Sequence, residues 1–547
     1  MVKLSVASRR RACALSLVLV SSMAASACAS DSNPDTGDAA ASSLTIAVDK
    51  DSGPLNIFVG QTDQMTELIY DKLLSPSPYV ADPQPWLATS VNQIDAKTWE
   101  VELRNDVKWH DGEALTADDV VFSFHFMHAA PTGRFTHHIN DTPSISTVVP
   151  TESGVRFVCD YACPELGTVT LADRPILPEH IWSSVDPAKA KEVTDLPIGT
   201  GPFELADYSP TSGYRFEANT DYFAGTPTVD ELVMPVIPDA SAVFTALRSG
   251  QIDASTTPLA PELIDQFQSD SDIGVIEASP LQYPELKLNF LEQPFSEPKF
   301  RTALSRAVDR EQLLDVVALG RGRPATQGYV HPDAPFAAPD TNTPYDVADA
   351  NRILDGLGFV DGDGDGFREN AVGEKLAFAI HVSGGQSTDV RSAELLVEDF
   401  RAIGLDVTIT ALDAGSFSEV SSKKTYDMLV TTNSPHAVAD STQFIMSHRS
   451  GNLWKAPDVA YPEFDALYEK WQSTETNDAR IDALYEVQDL FNEQPTAIGL
   501  YYPDEYWGFR SDTFDGWAET PGYGIVHKWS FLPREVSEQA HAIAPSN

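Results

Sequence analysis

The first residue whose setting suggests covalent chemistry is a cysteine at the end of a short apolar run. Ala25-Ser-Ala-Cys28 puts small residues ahead of a thiol, the pattern at which a signal segment is cut and the cysteine diacylated. Cys28 would then be the new amino terminus, tied to the membrane through its lipid. Ordinary secretory cleavage is the alternative, because Ala25 stands where leucine is usual. Cys159 and Cys163 form a second group. In an oxidising compartment a short disulfide loop is the default for such a pair, and a two-cysteine metal site is the other reading. His125, His128, His137 and His138 lie close together, the first two on one face if 118–128 is helical. Nickel or a haem-like group is imaginable there. No acidic or cysteine partner completes the set, so histidines around a turn at Pro131 are the plainer reading. Asp361-Gly-Asp-Gly-Asp-Gly366 copies the first half of a calcium loop, with Asp361, Asp363 and Asp365 offering oxygens at alternate positions. Val372 stands where the bidentate glutamate belongs and Glu374 comes two places late, so a plain turn is favoured over bound calcium. No cofactor is expected.

These groups sit in a chain built for export. Lys3, Arg9, Arg10 and Arg11 precede an apolar run over 12–25 that is too short to span a bilayer, so 1–27 reads as a signal segment. Ser8-Arg-Arg10 also hints at twin-arginine export. Residues 28–43 have no apolar periodicity and read as a solvated tether. With 81 acidic against 37 basic residues the formal charge is −44, and losing the basic leader makes it more negative. Repulsion excludes nucleic acid as a partner. A chain of 547 residues exceeds what one core supports, so two or three lobes are expected.

Strands are expected at 44–48 and 99–103, with a helix at 66–74 between them. Leu376, Phe378, Ile380 and Val382 alternate, 390–403 has helical spacing, and Leu405, Val407 and Ile409 alternate again, which predicts a parallel βαβ unit. Further helices are expected at 299–317, 462–471 and 478–491, followed by a late strand at Ile498, Leu500 and Tyr501. A secreted hydrolase is the rival class, but the chain has neither a Gly-x-Ser-x-Gly elbow nor a His-Glu-x-x-His motif.

At this point the sequence resembles a known family, the extracytoplasmic solute-binding proteins of family 5, the peptide, dipeptide and nickel receptors of ABC importers. The resemblance covers nearly all of 44–531. Its best stretch runs from Trp99-Glu-Val-Glu-Leu103 through Lys108-Trp-His-Asp-Gly-Glu113 to Ala117-Asp-Asp-Val-Val-Phe-Ser123. Ile-Leu-Pro-Glu-His-Ile-Trp at 176–182, Pro-Ile-Gly-Thr-Gly-Pro-Phe at 197–203, Ala-Leu-Arg-Ser-Gly-Gln-Ile-Asp at 246–253 and the runs at 300–310 and 393–404 follow in the family's order.

The resemblance implies a two-lobed α/β fold of the periplasmic-binding-protein type (class II, large peptide-binding form) with an extra subdomain on lobe I. Lobe I is placed at 44–284 with the subdomain at about 81–194, lobe II at 285–500, and the return to lobe I with a tail at 501–547. Strand crossings are expected near 285–290 and 496–502. The implied function is capture of a peptide or peptide-like solute by a monomeric, lipid-anchored receptor that delivers it to ABC permease subunits. A nickel chelate, haem-like or oligosaccharide ligand, or a ligand-sensing lipoprotein, are the alternatives. In the family's peptide receptors an aspartate of lobe II anchors the ligand's amino group. Here Ala437 takes that place and Asp440 stands one helical turn on. The further ligand-binding candidates are Asp49, Thr200, Tyr501, Tyr502 and Trp507.

Overall fold

The computed structural model describes residues 42–59, 63–78, 82–131, 143–278, 280–326, 330–339, 343–433, 445, 449–450 and 462–543. Among them the first strand, Leu44–Ala47, buries Leu44 and Ile46. It runs parallel to Glu231–Met234 on one side and Ala254–Ser255 on the other. The sheet extends antiparallel through Gly213–Ala218 to Phe203–Ser209 at one edge. At the other edge it extends through Glu505–Arg510 to Ile273–Ala278. This is lobe I.

A subdomain is appended to it. Ala88–Asp95, Thr98–Leu103, Gly154–Cys159 and Ile145–Pro150 form an antiparallel sheet. The helix Ala117–Ala129 packs on it through Phe124, whose ring lies 4.8 Å from that of Phe157. Asp119 starts that helix by accepting the Thr116 backbone N–H at 2.8 Å, a carboxylate stabilising the positive end of the helix.

Lobe II has its own sheet in the order Asp406–Leu412, Ala377–Ser383, Met428–Asn433, Tyr283–Leu288 and Ala497–Gly499. The first two strands are parallel, with Phe378 opposite Val407 and Ile380 opposite Ile409, and the helix Ser387–Ala402 joins them. The pattern of alternating apolar residues around a helical segment therefore forms the expected βαβ unit. No described helix is long and apolar enough to cross a membrane.

The chain leaves the first sheet after Ala278 and enters the second at Tyr283. It leaves the second after Gly499, pairs Tyr501–Pro503 with Gly322–Pro324, and rejoins the first at Glu505. The first crossing thus precedes the expected 285–290, because Tyr283–Leu288 is paired along its whole length with Met428–Asn433 inside lobe II.

Two helix expectations are corrected. The helix expected at 66–74 is Asp63–Ile69. It stops there because the Ile69 carbonyl accepts a tertiary bond from the Gly201 N–H at 2.7 Å, and Lys72 bridges to Pro175 instead. The helix expected at 299–317 is two, Pro298–Ala307 and Arg310–Val317. Asp309 breaks it, its carboxylate capping Gln312 N at 3.0 Å while its own N–H goes to Asp399 at 3.1 Å.

The Gly-Thr-Gly turn at 199–201 owes its glycines to close approach. A Cβ on Gly199 would lie 1.9 Å from the Ile69 carbonyl oxygen, and one on Gly201 would lie 2.4 Å from that of Leu68. Only bare backbone fits against the end of that helix.

Candidate functional site

Strands in α/β sheets deliver ligand-facing groups at their C-terminal ends, and here Ala254–Ser255 of lobe I leads to Thr257 and Ala377–Ser383 of lobe II leads to Gly385, both in the lining of one cavity. Between the lobes lies a cavity of about 660 Å³. Lobe I contributes Thr257, Leu259 and Glu262, lobe II contributes Thr388, Asp389 and Thr432, and the crossings contribute Gln282, Tyr501 and Glu505. Among the described residues the lining is made of hydroxyls, carboxylates and one guanidinium besides its apolar side chains and amides, with no histidine, cysteine or lysine.

Its electrostatics are those of poorly hydrated carboxylates. Burial pushes Asp389 up to about 6. Glu505 is raised by burial, although Gln282 Nε2 donates to it at 2.8 Å and pulls the other way. Behind the lining, Glu519 is pushed up to about 7, first by burial and then by the neighbouring Glu505. Burial also raises Asp504. Arg391, the cation in the lining, is engaged by Glu394 at 2.6 Å. Such a surface favours ligand groups that donate hydrogen bonds or carry positive charge.

The sequence candidates are dispersed. Tyr501 lines the cavity, and burial pushes its phenol up to about 12 while it bonds to Ser392. Asp49 is exposed after the first strand. A second cavity, of about 510 Å³, opens beside it and is lined by Lys50, Asp51, Asn56 and Lys191. Asp51 is the organised residue there: it accepts from Gly53 N at 2.9 Å, Tyr208 at 2.8 Å and Tyr214 at 3.2 Å, which hold its carboxyl below the usual range. Asp440 and Ala437 lie outside the described residues.

Three candidates are enclosed rather than cavity-lining, which corrects their expected placement. Tyr502, 1% exposed, packs its ring 5.1 Å from Tyr283 and 4.6 Å from His331. Trp507 is buried on Gly524, where a Cβ would lie 2.7 Å from the indole. Thr200, also 1% exposed, spends its hydroxyl on Asp71 Oδ2 at 3.1 Å.

Asp71 is the hub of a buried polar network in lobe I. Besides Thr200 it accepts from Trp86 Nε1 at 2.7 Å, Tyr222 at 3.0 Å and Lys528 Nζ at 2.7 Å. Glu67 sits nearby in contact with Lys72, and His527 Nε2 is 3.5 Å from Glu67. A charge taken this far from water persists only when partners replace the lost hydration, and here Lys528 and His527 of the C-terminal segment join Lys72, Trp86, Thr200 and Tyr222 in doing so.

Cys159 and Cys163 are joined by a disulfide. His125 and His128 are exposed on their helix, and His137 and His138 lie outside the described residues. Asp361, Asp363, Asp365 and Glu369 bring one carboxylate oxygen each within 4.8 Å of one another, a set able to hold a hard divalent cation. Glu369, at the ninth loop position, was not legible as part of it; Glu374 instead bonds Asn370 at 3.0 Å. Lys375 Nζ, 2.6 Å from Asp365, already neutralises part of the charge. Asp389, Gln282 and Glu505 also went unsignalled. The signal available for Asp389 was position alone, in the first turn of the helix that follows a strand end.

Comparison with known proteins adds identity to this geometry. The model of the bacterial extracellular solute-binding proteins, family 5, matches residues 82–454. The oligopeptide-binding protein AppA of Bacillus subtilis is 28% identical over 464 residues, 81% of this chain and 82% of that protein. Protein XP55 of Streptomyces lividans is 29% identical over 377 residues, 69% of this chain and 68% of that protein. The solved structure of B. subtilis AppA with a nonapeptide superposes with a TM-score of 0.77 at 22% identity, covering 90% of this chain and 99% of that one.

Proposed function

The chain belongs to the bacterial extracellular solute-binding proteins of family 5, and on that footing we propose that it captures an oligopeptide-like solute between its lobes and hands it to the permease of an ABC importer. The observation that carries this reading is a cavity lined by both lobes at two short strand crossings. A ligand that touches both lobes stabilises the closed form, and a permease can read closure as occupancy. The family consists of binding proteins, not enzymes. The kinship to an oligopeptide-binding protein over most of the chain favours peptide as the cargo class.

In this reading Tyr501, Gln282, Glu505 and Asp389 meet the ligand from the hinge end, and Asp49 and Asp440 are its further contacts. Thr200, Tyr502 and Trp507 act through packing. Cys28 carries the lipid, 28–43 spans the gap to the membrane surface, and the receptor works as a monomer outside the cytoplasm.

The test is native mass spectrometry of protein purified without denaturation, followed by incubation with a pool of synthetic di- to nonapeptides. Intact peptides retained on the folded protein and released unchanged on unfolding are expected. Cleaved products would transfer the chain to the hydrolases, and a co-purifying mass of a sugar or metal chelate would replace the peptide.

A further inference from the structure

We propose that Arg480 of lobe II and the 162–165 segment of the subdomain form a latch that assembles only when the lobes close. Arg480 lies near the start of the helix Asn477–Glu493, which leads into the lobe II strand Ala497–Gly499. Its Nη2 donates to the Ala162 carbonyl at 2.6 Å and stands 2.9 Å from Glu165 Oε2. Both acceptors belong to the subdomain. Ala162 lies inside the Cys159–Cys163 loop, and the Cys163 N–H and carbonyl are themselves tied to Ala96 at 2.9 Å and to Trp99 Nε1 at 3.1 Å.

On its own side the guanidinium is pre-set. Its Nη1 donates to the Trp471 carbonyl at 3.0 Å and its plane lies 4.1 Å from the Trp471 ring centroid. Arg480 and Glu165 are each 1% exposed, so closure removes both charges from water. Among the described residues the other cross-lobe ion pair, Arg321 with Asp265 at 2.5 Å, leaves Asp265 87% exposed and is screened.

Neither partner of the buried pair lies on a crossing strand, and neither lines the interlobe cavity. Opening the lobes separates Arg480 from Glu165 and lets each rehydrate. Closing takes both charges out of water together, and their mutual attraction offsets part of the hydration that each gives up. The latch therefore makes closure all-or-none at a point remote from the ligand. Arg480 and Glu165 are positioning residues for capture, and they act through closure irrespective of which solute is bound.

The test uses the ligand-free mature protein with nitroxide labels carried on unnatural amino acids at the exposed Val149 of the subdomain and Asn477 of lobe II. Pulsed dipolar spectroscopy reads the short-distance, closed population. Arg480→Met and Glu165→Gln, each checked as folded by circular dichroism, are expected to lower the closed-to-open ratio at least about tenfold, as loss of one partner of a buried pair implies. Arg480→Met with Glu165→Leu removes both charges and is expected to recover most of the closed population. Unchanged distance distributions in both single variants, or a double variant as open as the sum of the singles, would overturn the latch. Because no solute is added, the outcome is independent of the peptide reading.

Discussion

Replacing Asp71 with alanine tests whether the Gly-Thr-Gly turn serves the ligand or the fold. The substitution strips Trp86, Tyr222, Thr200 and Lys528 of a shared acceptor and leaves the Lys528 ammonium, itself 0% exposed, without its carboxylate at 2.7 Å. Removing one partner of a buried ion pair costs about 3–5 kcal/mol. With an unfolding entropy of about 2.1 cal/mol/K per residue over roughly 500 residues, each kcal/mol lowers the melting temperature by about 1 °C. Scanning calorimetry should therefore show a fall of about 3–5 °C. Asp71→Leu with Lys528→Met removes both charges and should recover part of it. Thr200→Val loses a single bond to a charged group, worth about 1.5–3 kcal/mol, and should melt about 1–3 °C lower with unchanged ligand affinity. A fall below about 1 °C for Asp71→Ala, or a Thr200→Val protein that melts normally but no longer retains peptide, would refute the assignment of this network to stability.

The remaining predictions concern charge and packing. Burial lowers His527 from 6.5 to about 4, against the pull of Glu67, so the folded value lies below the unfolded one. Its contribution is complete above about pH 6.5 and is lost as the pH falls toward 4; His527→Gln should flatten that part of the melting-temperature profile relative to wild type. Asp389 has the opposite sign, raised from 3.8 to about 6 by burial, so it favours folding in its neutral form and loses that contribution as the pH rises through 6. Asp389→Asn should raise the melting temperature of ligand-free protein at pH 7 and leave it unmoved at pH 4. Cys159→Ser with Cys163→Ser frees the loop that presents Ala162, and should lower the closed population in the distance measurement as a latch variant does. Gly199→Ala, whose Cβ would meet the Ile69 carbonyl, should abolish soluble folded protein on expression.

What was legible in the sequence follows from the range over which each interaction acts. The βαβ unit could be read because Phe378, Ile380 and Val382, then Leu405, Val407 and Ile409, report burial through local periodicity, and parallel pairing leaves a helical crossover as the connection. The helix break at Asp309 was obscured because its cause includes Asp399, an acceptor supplied by another helix. Thr200 looked like a ligand contact because a hydroxyl between two glycines reads as an exposed turn. It is buried by partners 129 residues away at Asp71, which in turn holds Lys528, 457 residues further on. Motif and site thereby come apart. The Gly-Thr-Gly turn and Trp99, which carried the resemblance, close the lobe I core and hold the disulfide loop, while the cavity takes its carboxylates from Glu262, Asp389, Asp504 and Glu505, which belong to no local pattern. Scaffold positions must satisfy the same close approaches whatever is bound, whereas cavity positions need only suit one cargo. A strong sequence match therefore fixes how these lobes are built and leaves the choice of solute to side chains that only the folded chain assembles.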